Sequence, residues 1–173
     1  MAGMRTEAFL SEDRKYRYWL LRVWNDALPI LAVIGVNPST ADEKENDPTI
    51  RKDIGFASRL GFGGILKLNV AAFRATDPID CKRAYAPIGF FNDATNLVAA
   101  VEHFKATKVV AAWGKNGNHF SNECKKITET FPELWCFGKN GDGTPRHTLM
   151  LPYTTKLERF SISQAQLLEE LLS

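Results

Sequence analysis

Hydrogen-bonding side chains are concentrated in one short segment, NPSTADEKENDPTIR, which directly follows the apolar run ILAVIGV. Pro38 fixes its own backbone φ angle and holds Asn37 in an extended conformation. The Asn37 carboxamide therefore offers one acceptor and two donors at a rigid position.

Other polar side chains in this segment could act together with Asn37. An Asx turn, in which such a side chain only satisfies loop amides, is the structural alternative for each residue taken singly. Their number in so short a segment favours a binding or catalytic site. The residues are Ser39, Asp42, Asp47, Thr49 and Arg51.

Three candidates lie elsewhere in the chain. Asn69 ends the apolar run ILKLN, where a buried amide is costly unless it is paired; a backbone partner would suffice, but its donor and acceptor could also read the edge of a base. His147 follows Arg146, and a neutral or protonated imidazole there could stabilise an anion developing on a leaving group. Trp113 ends the run KVVAAW, where it is either a core residue or a stacking surface.

Alternating apolar runs and helix-like segments must position these residues. The runs from Ile30 to Val36, Gly64 to Phe73, Lys108 to Gly114 and Glu133 to Lys139 predict strands, and the segments between them place apolar residues at steps typical of amphipathic helices. This alternation predicts an α/β three-layer sandwich with a four-stranded parallel sheet. The run from Lys15 to Asn25 predicts an additional edge strand or hairpin.

Helix caps and loops follow from the same pattern. Asp47 before Pro48, and Asn92 before the next apolar stripe, predict two helix starts, and Ser161 or Ser163 is predicted to cap a C-terminal helix. The four strands are followed by the polar loops NPSTAD, NVAAFRATDP, WGKNG and GKNGDGTPRHTLMLP. Because the carboxyl ends of parallel strands share one edge of a sheet, we expect these loops to meet and form the site.

Composition limits the classes of protein that need consideration. A chain of 173 residues with 45% hydrophobic and 24% charged residues predicts one α/β domain over residues 1–173. Neither a membrane span nor a signal core is visible, so we expect a cytoplasmic protein without a membrane partner. Three cysteines and three scattered histidines lack metal-type spacing, so neither a metal nor a cofactor is predicted. A net charge of +2 does not by itself indicate nucleic acid, and the oligomeric state is not predictable.

The motifs GVNPSTAD, NDPTIR, LNVAAFRATDP, WG and PRH resemble those of a bacterial and phage family known only as a domain of unknown function. Its members show a GxNPSTAD start, a DPT(I/V)RR segment, an N(L/A)xAxRATDP segment, an AWG and a late RHPLY. The resemblance covers roughly Asp13 to Leu157 and is specific, but the family name implies no activity.

A more distant resemblance, to the uracil-DNA glycosylase superfamily of DNA-repair hydrolases, does imply one. VIGVNPS is similar to the GxNPG motif, whose asparagine positions the attacking water, and this implies that role for Asn37. ILKLN is similar to a strand ending in LLLN, whose asparagine reads the pyrimidine, and this implies that role for Asn69. RHTLML is similar to the HP motif, whose histidine stabilises the departing base, which implies that role for His147. The sequence departs from these motifs at Ser39, where they have glycine, and at Thr148, where they have proline.

The leading hypothesis from the sequence is therefore hydrolysis of an N-glycosidic bond to a pyrimidine, modified or not, in nucleic acid. The expected catalytic residues are Asn37, assisted by Asp42 or Asp47, and His147. The expected partner is nucleic acid or a free nucleotide. The alternatives are a binding module that holds a nucleotide or modified base without chemistry, for example in phage–host conflict, and a structural protein. The expected substrate-binding residues are Pro38, Ser39, Thr49, Arg51, Asn69, Arg74, Trp113 and Arg146, with phosphate held by Arg51, Arg74 or Arg146.

Overall fold

The computed structural model describes residues 3–173, which form one seven-stranded mixed sheet with helices on both faces. The strands are β1 (Arg5–Leu10), β2 (Arg17–Val23), β3 (Ile30–Gly35), β4 (Gly64–Asn69), β5 (Ala106–Ala111), β6 (Glu133–Cys136) and β7 (Glu158–Ile162). The helices are α1 (Pro48–Arg59), α2 (Pro78–Arg83), α3 (Ala94–His103), α4 (Ser121–Thr130) and α5 (Gln164–Leu172), and a 3-10 helix spans Lys115–Phe120. Within the described residues, no helix has both the length and the apolarity needed to cross a bilayer.

The strand order is β1-β2-β4-β3-β5-β6-β7. The α/β class is confirmed, and the four runs predicted as strands are neighbours that pair in parallel. The predicted size of the sheet is wrong, because β1, β2 and β7 extend it through three antiparallel pairings. The run that contains β2 forms a hairpin with β1, but it is not an edge strand, since β2 also pairs with β4.

Alternation along β4 separates two different layers. Leu66 and Leu68 lie in the apolar cluster that contains Leu97 of α3 and Ile127 of α4. The neighbouring residue Lys67 points to the opposite side, where α1 covers the sheet. We call these two sides the α3–α4 face and the α1 face. The α1 face has its own apolar cluster, but at the carboxyl ends of β3 and β4 this cluster gives way to buried polar side chains.

A β-bulge in β2 directs Arg17 to the α1 face. Phe9 pairs with Trp19 and Leu10 pairs with Arg17, so Tyr18 is the extra residue. Without this insertion, strand alternation would place Arg17 on the same side as Trp19, which packs on the α3–α4 face. Bulges commonly redirect one side chain in this way.

One of the two predicted helix caps is confirmed, and the other residue holds a strand end instead. Asp47 caps α1 as predicted: its Oδ1 accepts a hydrogen bond of 2.8 Å from a backbone N–H of the first turn, and Pro48 is the first helical residue. The predicted Asn92 cap is wrong, because Asp93 caps α3 through a capping box. Asn92 is buried instead, and its Nδ2 donates to the backbone oxygens of Asn69 and Val70, which holds the end of β4 in place.

Candidate functional site

Six of the predicted site residues line two adjoining cavities at the carboxyl ends of β3 and β4. The inner chamber has a volume of about 40 Å³, and the outer cleft has a volume of about 470 Å³. The outer cleft falls in the size range typical of small-ligand sites, whereas the inner chamber has room only for a few water molecules. The predicted residues in their walls are Asn37, Ser39, Asp47, Thr49, Asn69 and His147.

Asn37 and Asp47 present acceptor oxygens to both cavities. The Asn37 Nδ2 donates to the backbone oxygens of Ala75, at 2.7 Å, and Pro38, at 3.1 Å, so the orientation of this amide is fixed. One Asp47 oxygen is used by the helix cap. Among the described residues, the Asn37 Oδ1 and the second Asp47 oxygen have no hydrogen-bond partner. Both oxygens are therefore available to a water molecule or a ligand.

His147 lines the same two cavities as Asn37 and Asp47. Its Nδ1 accepts a hydrogen bond of 3.2 Å from the Leu149 backbone N–H, so the proton of the neutral ring is on Nε2. Burial, followed by the nearby Lys67 charge, lowers the pKa of His147 below its usual value of 6.5. Gly114, with φ of +65°, lies against the backbone and Cβ of His147: a Cβ there would be 3.2 Å from the His147 Cβ. The loop after β5 thus supports the histidine of the fourth loop.

Asn69 presents donors only. It is 2% exposed, and its Oδ1 accepts a hydrogen bond of 3.3 Å from Arg17 Nη2. Because a guanidinium has no acceptor, this contact fixes the amide so that Nδ2 faces Gly35 and the inner chamber, where it has no partner among the described residues. The expected reading of a base edge by Asn69 stays a prediction, and in this structure its acceptor oxygen is used by Arg17. Burial lowers the pKa of Arg17 to about 10, which still leaves this guanidinium charged at neutral pH.

A buried ion pair adjoins the inner chamber, because Lys67 lines the chamber and its partner Asp53 lies behind it. Lys67 Nζ and Asp53 Oδ2 are 2.8 Å apart, and the two side chains are 4% and 0% exposed. The other Asp53 oxygen accepts a hydrogen bond of 2.6 Å from Thr148 Oγ1. Gly35 makes room for this group, because a Cβ there would lie 2.9 Å from Asn69 Nδ2 and 3.2 Å from Lys67 Nζ. The pair thus connects α1, β4 and the segment that carries His147.

Arginines hold the polar loop between β3 and α1 by its carbonyl oxygens. Arg17 Nη1 donates to the backbone oxygen of Ala41 at 2.8 Å. Arg22, which is fully buried, donates to the backbone oxygens of Asp42 and Glu45. A loop bound at so many backbone oxygens is rigid, and it holds Asn37 and Asp47 at its two ends.

Arg74 and Arg51 take part in the same bracing. Arg74 donates to the backbone oxygens of Ser39, at 3.3 Å, and Thr40, at 3.1 Å, while Arg51 donates to that of Asn46. Neither side chain lines either cavity. The expected binding of phosphate by these residues stays a prediction, and the structure gives both of them a structural contact instead.

Four further predicted residues lie outside both cavities. The Asp42 Oδ1 accepts hydrogen bonds from two backbone N–H groups of its own loop, which is the Asx-turn alternative. Trp113 is buried and packs edge-on against Phe160, which is the core alternative. Pro38 is buried and acts through its backbone oxygen, and Arg146 is exposed beside Gly138.

Sequence reasoning missed Arg17, Lys67 and Asp53, all of which are nearly fully buried at this site. Lys67 was detectable, since a charged residue inside the apolar run GILKLN needs a buried partner or an end strand. The burial of Arg17 could not be predicted, because the bulge at Tyr18 determines the face of the sheet to which its side chain points. Among residues 3–173 there is no group of three or more histidine, cysteine or carboxylate side chains placed to hold a metal ion.

The fold and the site define an α/β protein with a polar cleft at the carboxyl edge of its parallel strands. The chain belongs to the family described as "Protein of unknown function (DUF1643)", which matches residues 17–149 and therefore includes every residue in the walls of both cavities. No curated protein matches it significantly in sequence.

One solved structure shows a weak likeness, an alpha/beta hydrolase from Novosphingobium aromaticivorans DSM 12444. It is 16% identical, with a TM-score of 0.36, and the match covers 80% of this chain and 46% of that one. The chain thus spans less than half the length of that hydrolase. A likeness of this strength indicates neither a shared activity nor a shared substrate.

Proposed function

We propose that the protein hydrolyses the N-glycosidic bond of a pyrimidine nucleotide, modified or not, in nucleic acid. One observation carries this proposal: Asn37, Asp47, Asn69 and His147, which are far apart in sequence, line the same inner chamber. The order of the parallel strands, β4-β3-β5-β6, with α1 on one face and α3 and α4 on the other, favours the three-layer arrangement of uracil-DNA glycosylases.

The inner chamber suits the attacking water. Its volume of about 40 Å³ exceeds the roughly 10–15 Å³ of free space that a cavity needs to hold one water molecule. Asn37 Oδ1 and the free Asp47 oxygen accept the two hydrogens of this water. Asp47 takes one proton as general base while the water oxygen bonds to the sugar C1′.

The outer cleft suits the base. His147 lines both cavities, and its Nε2–H donates to a base oxygen while the electrons of the breaking C1′–N bond move onto the ring. A neutral donor already in place stabilises this developing anion without reorganisation. Asn69 Nδ2 provides a second N–H donor at the boundary of the chamber. The proton on Asp47 later passes to the departing base.

Base release from defined oligonucleotides tests this proposal. Single- and double-stranded DNA and RNA with one uracil, hydroxymethylated or glycosylated pyrimidine are incubated with the protein, and the free base and the abasic product are quantified. We expect release from at least one substrate of this panel. Absence of base release from all of them would overturn the proposal.

A conservative substitution isolates the chemistry from the fold. Asp47→Asn keeps a good helix cap but removes the base, so we expect the rate to fall by a factor of about 10² to 10⁴ with little change in stability. Asp93→Asn, the same change at the cap of α3, is the matched control and should retain full activity. Equal rates for the two variants would assign Asp47 a capping role only.

The size of the outer cleft favours a second candidate, a module that binds a free nucleoside or nucleotide without cleaving it. This candidate predicts a thermal shift with free pyrimidine nucleosides or nucleotides and no release of base. Release of the base in the assay above would exclude a purely binding role.

A further inference from the structure

The segment that carries His147 is attached to α1 by one buried hydrogen bond. Thr148, the residue after the histidine, is 1% exposed, and its hydroxyl donates to Asp53 Oδ1 at 2.6 Å. Asp53 is held in turn by Lys67 on β4. Both oxygens of this carboxylate are thus occupied, one by the sheet and one by the His147 segment.

The burial of this carboxylate requires an explanation beyond stability. Removing two charges from water is costly, and a well-packed apolar pair of similar size is often as stable or more so. Asp53 lies one helical turn after Thr49, and its partner Lys67 lines the inner chamber with Thr49, so its carboxylate is fixed beside the site. Its position favours a role in placing neighbouring groups.

The contact at Thr148 determines where the next backbone amide points. Leu149 N–H donates to His147 Nδ1, and that bond selects the ring form with its proton on Nε2. The exposed side chain of Met150 follows, and Leu151 is buried again. By fixing residue 148, the hydrogen bond to Asp53 therefore also fixes the direction in which the Leu149 N–H donates to the imidazole.

We propose that Asp53 and Thr148 are positioning residues that hold His147 as the Nε2–H tautomer facing the two cavities. The proposal rests on the proposed function only where it concerns rate, since the tautomer is a property of the protein alone. Asp53 acts through Thr148, and neither residue contacts the substrate.

Nuclear magnetic resonance measures this directly. Long-range ¹H–¹⁵N spectra of the histidine rings distinguish the two neutral tautomers. In the wild-type protein above the pKa of His147, we expect a pure Nε2–H signature. In Thr148→Val, which keeps the shape and removes the hydroxyl, we expect a mixture of tautomers; in Thr148→Ser, which restores the hydroxyl, we expect the pure form again.

Thr155→Val is the matched control. The Thr155 hydroxyl donates to the Pro152 backbone oxygen at 2.7 Å in the same segment, away from both cavities. We expect it to leave the His147 tautomer unchanged. An unchanged tautomer in Thr148→Val, no recovery in Thr148→Ser, or an equal effect of Thr155→Val would each overturn the proposal.

Kinetics extend the test if base release is observed. A misplaced donor slows the chemical step more than it weakens binding, so Thr148→Val should lower kcat by up to about 100-fold with KM nearly unchanged. Equal losses in kcat and in affinity would contradict positioning. If no base release occurs, the proposed function fails, while the spectra still decide the role of Thr148.

Discussion

The α3–α4 face and the α1 face are made from alternating residues of the same strands, yet they differ in chemistry. On β4, Leu66 and Leu68 enter an apolar cluster, while Lys67 and Asn69 enter a layer of buried charges and amides. The apolar side chains contribute roughly 1.5–3 kcal/mol each when fully buried. The buried ion pair contributes little net stability, because its desolvation offsets its attraction.

The two faces of the sheet therefore have different roles. Apolar burial on the α3–α4 face stabilises the fold, and this stability offsets the cost of burying polar groups on the α1 face. The polar layer lies towards the carboxyl ends of β3 and β4. Its side chains Lys67 and Asn69 therefore lie in the wall of the inner chamber. If this division is correct, substitutions on the two faces should separate stability from activity.

The largest expected effect follows from breaking the buried ion pair. Asp53→Ala leaves Lys67 charged and unpaired, so the free energy of unfolding should fall by about 3–5 kcal/mol in urea denaturation. The double variant Asp53→Leu, Lys67→Met should recover most of this stability, while base release should stay reduced, by up to about 100-fold, because the contact to Thr148 is lost. Loss of less than 1 kcal/mol in Asp53→Ala, on the order of an exposed pair, would contradict the assignment of a buried charge.

Leu68→Ala probes the opposite face of the same strand. Leu68 is fully buried among apolar neighbours, so the free energy of unfolding should fall by about 3 kcal/mol. Base release per folded molecule should equal that of the wild-type protein at a temperature where both are folded. A large loss of specific activity would show that the two faces are not independent.

Asn69→Ala, one residue further along β4, should reduce activity strongly and stability only moderately, in contrast to Leu68→Ala. Arg17 loses one hydrogen-bond partner, so stability should fall by only about 1–3 kcal/mol. Base release should fall by about 100-fold, because a donor to the substrate is lost. Activity near the wild-type level would remove Asn69 from the site.

The smallest effect is a pH dependence of stability that originates from His147. Burial lowers the pKa of His147 in the folded protein below the unfolded value of 6.5. As the pH falls below that value, the unfolded chain takes up a proton that the folded protein does not, so stability decreases. Above it, the contribution of His147 is constant.

Replacing His147 isolates this contribution from those of the carboxylates. Between about pH 7.5 and about pH 5.5, His147→Gln should lose less free energy of unfolding than the wild-type protein. Urea denaturation at both pH values measures the difference. An equal or larger loss in the variant would show that His147 is not buried as a neutral ring.

The sequence predicted the elements whose signals are local. The four parallel strands are short apolar runs, and the start of α1 is marked by Asp47 before Pro48. β1 and β7 escaped prediction because they are largely exposed edge strands with few apolar residues. Their pairing depends on neighbours that are distant in sequence.

The site was predicted in part for the same reason. Asn37 and Asn69 lie at strand ends, His147 lies in the long loop after the fourth parallel strand, and all three line the inner chamber. Lys67 could have been recognised from its apolar run, but the burial of Arg17 could not, because it depends on the bulge at Tyr18. Arginines in a polar loop are usually interpreted as ligand-binding, yet Arg74, in the loop after β4, donates to backbone oxygens of the loop between β3 and α1.

A ligand titration followed by nuclear magnetic resonance tests most directly whether these residues form one site. The probe is a single-stranded oligonucleotide with one 2′-deoxypseudouridine, whose C–C glycosidic bond resists hydrolysis. The side-chain signals of Asn37, Asn69 and His147 should all shift and yield one common Kd, while those of Asn25 and His103, which line neither cavity, should not move. Unchanged signals at the three site residues, or shifts with different Kd values, would contradict a single nucleotide-binding site at this edge of the sheet.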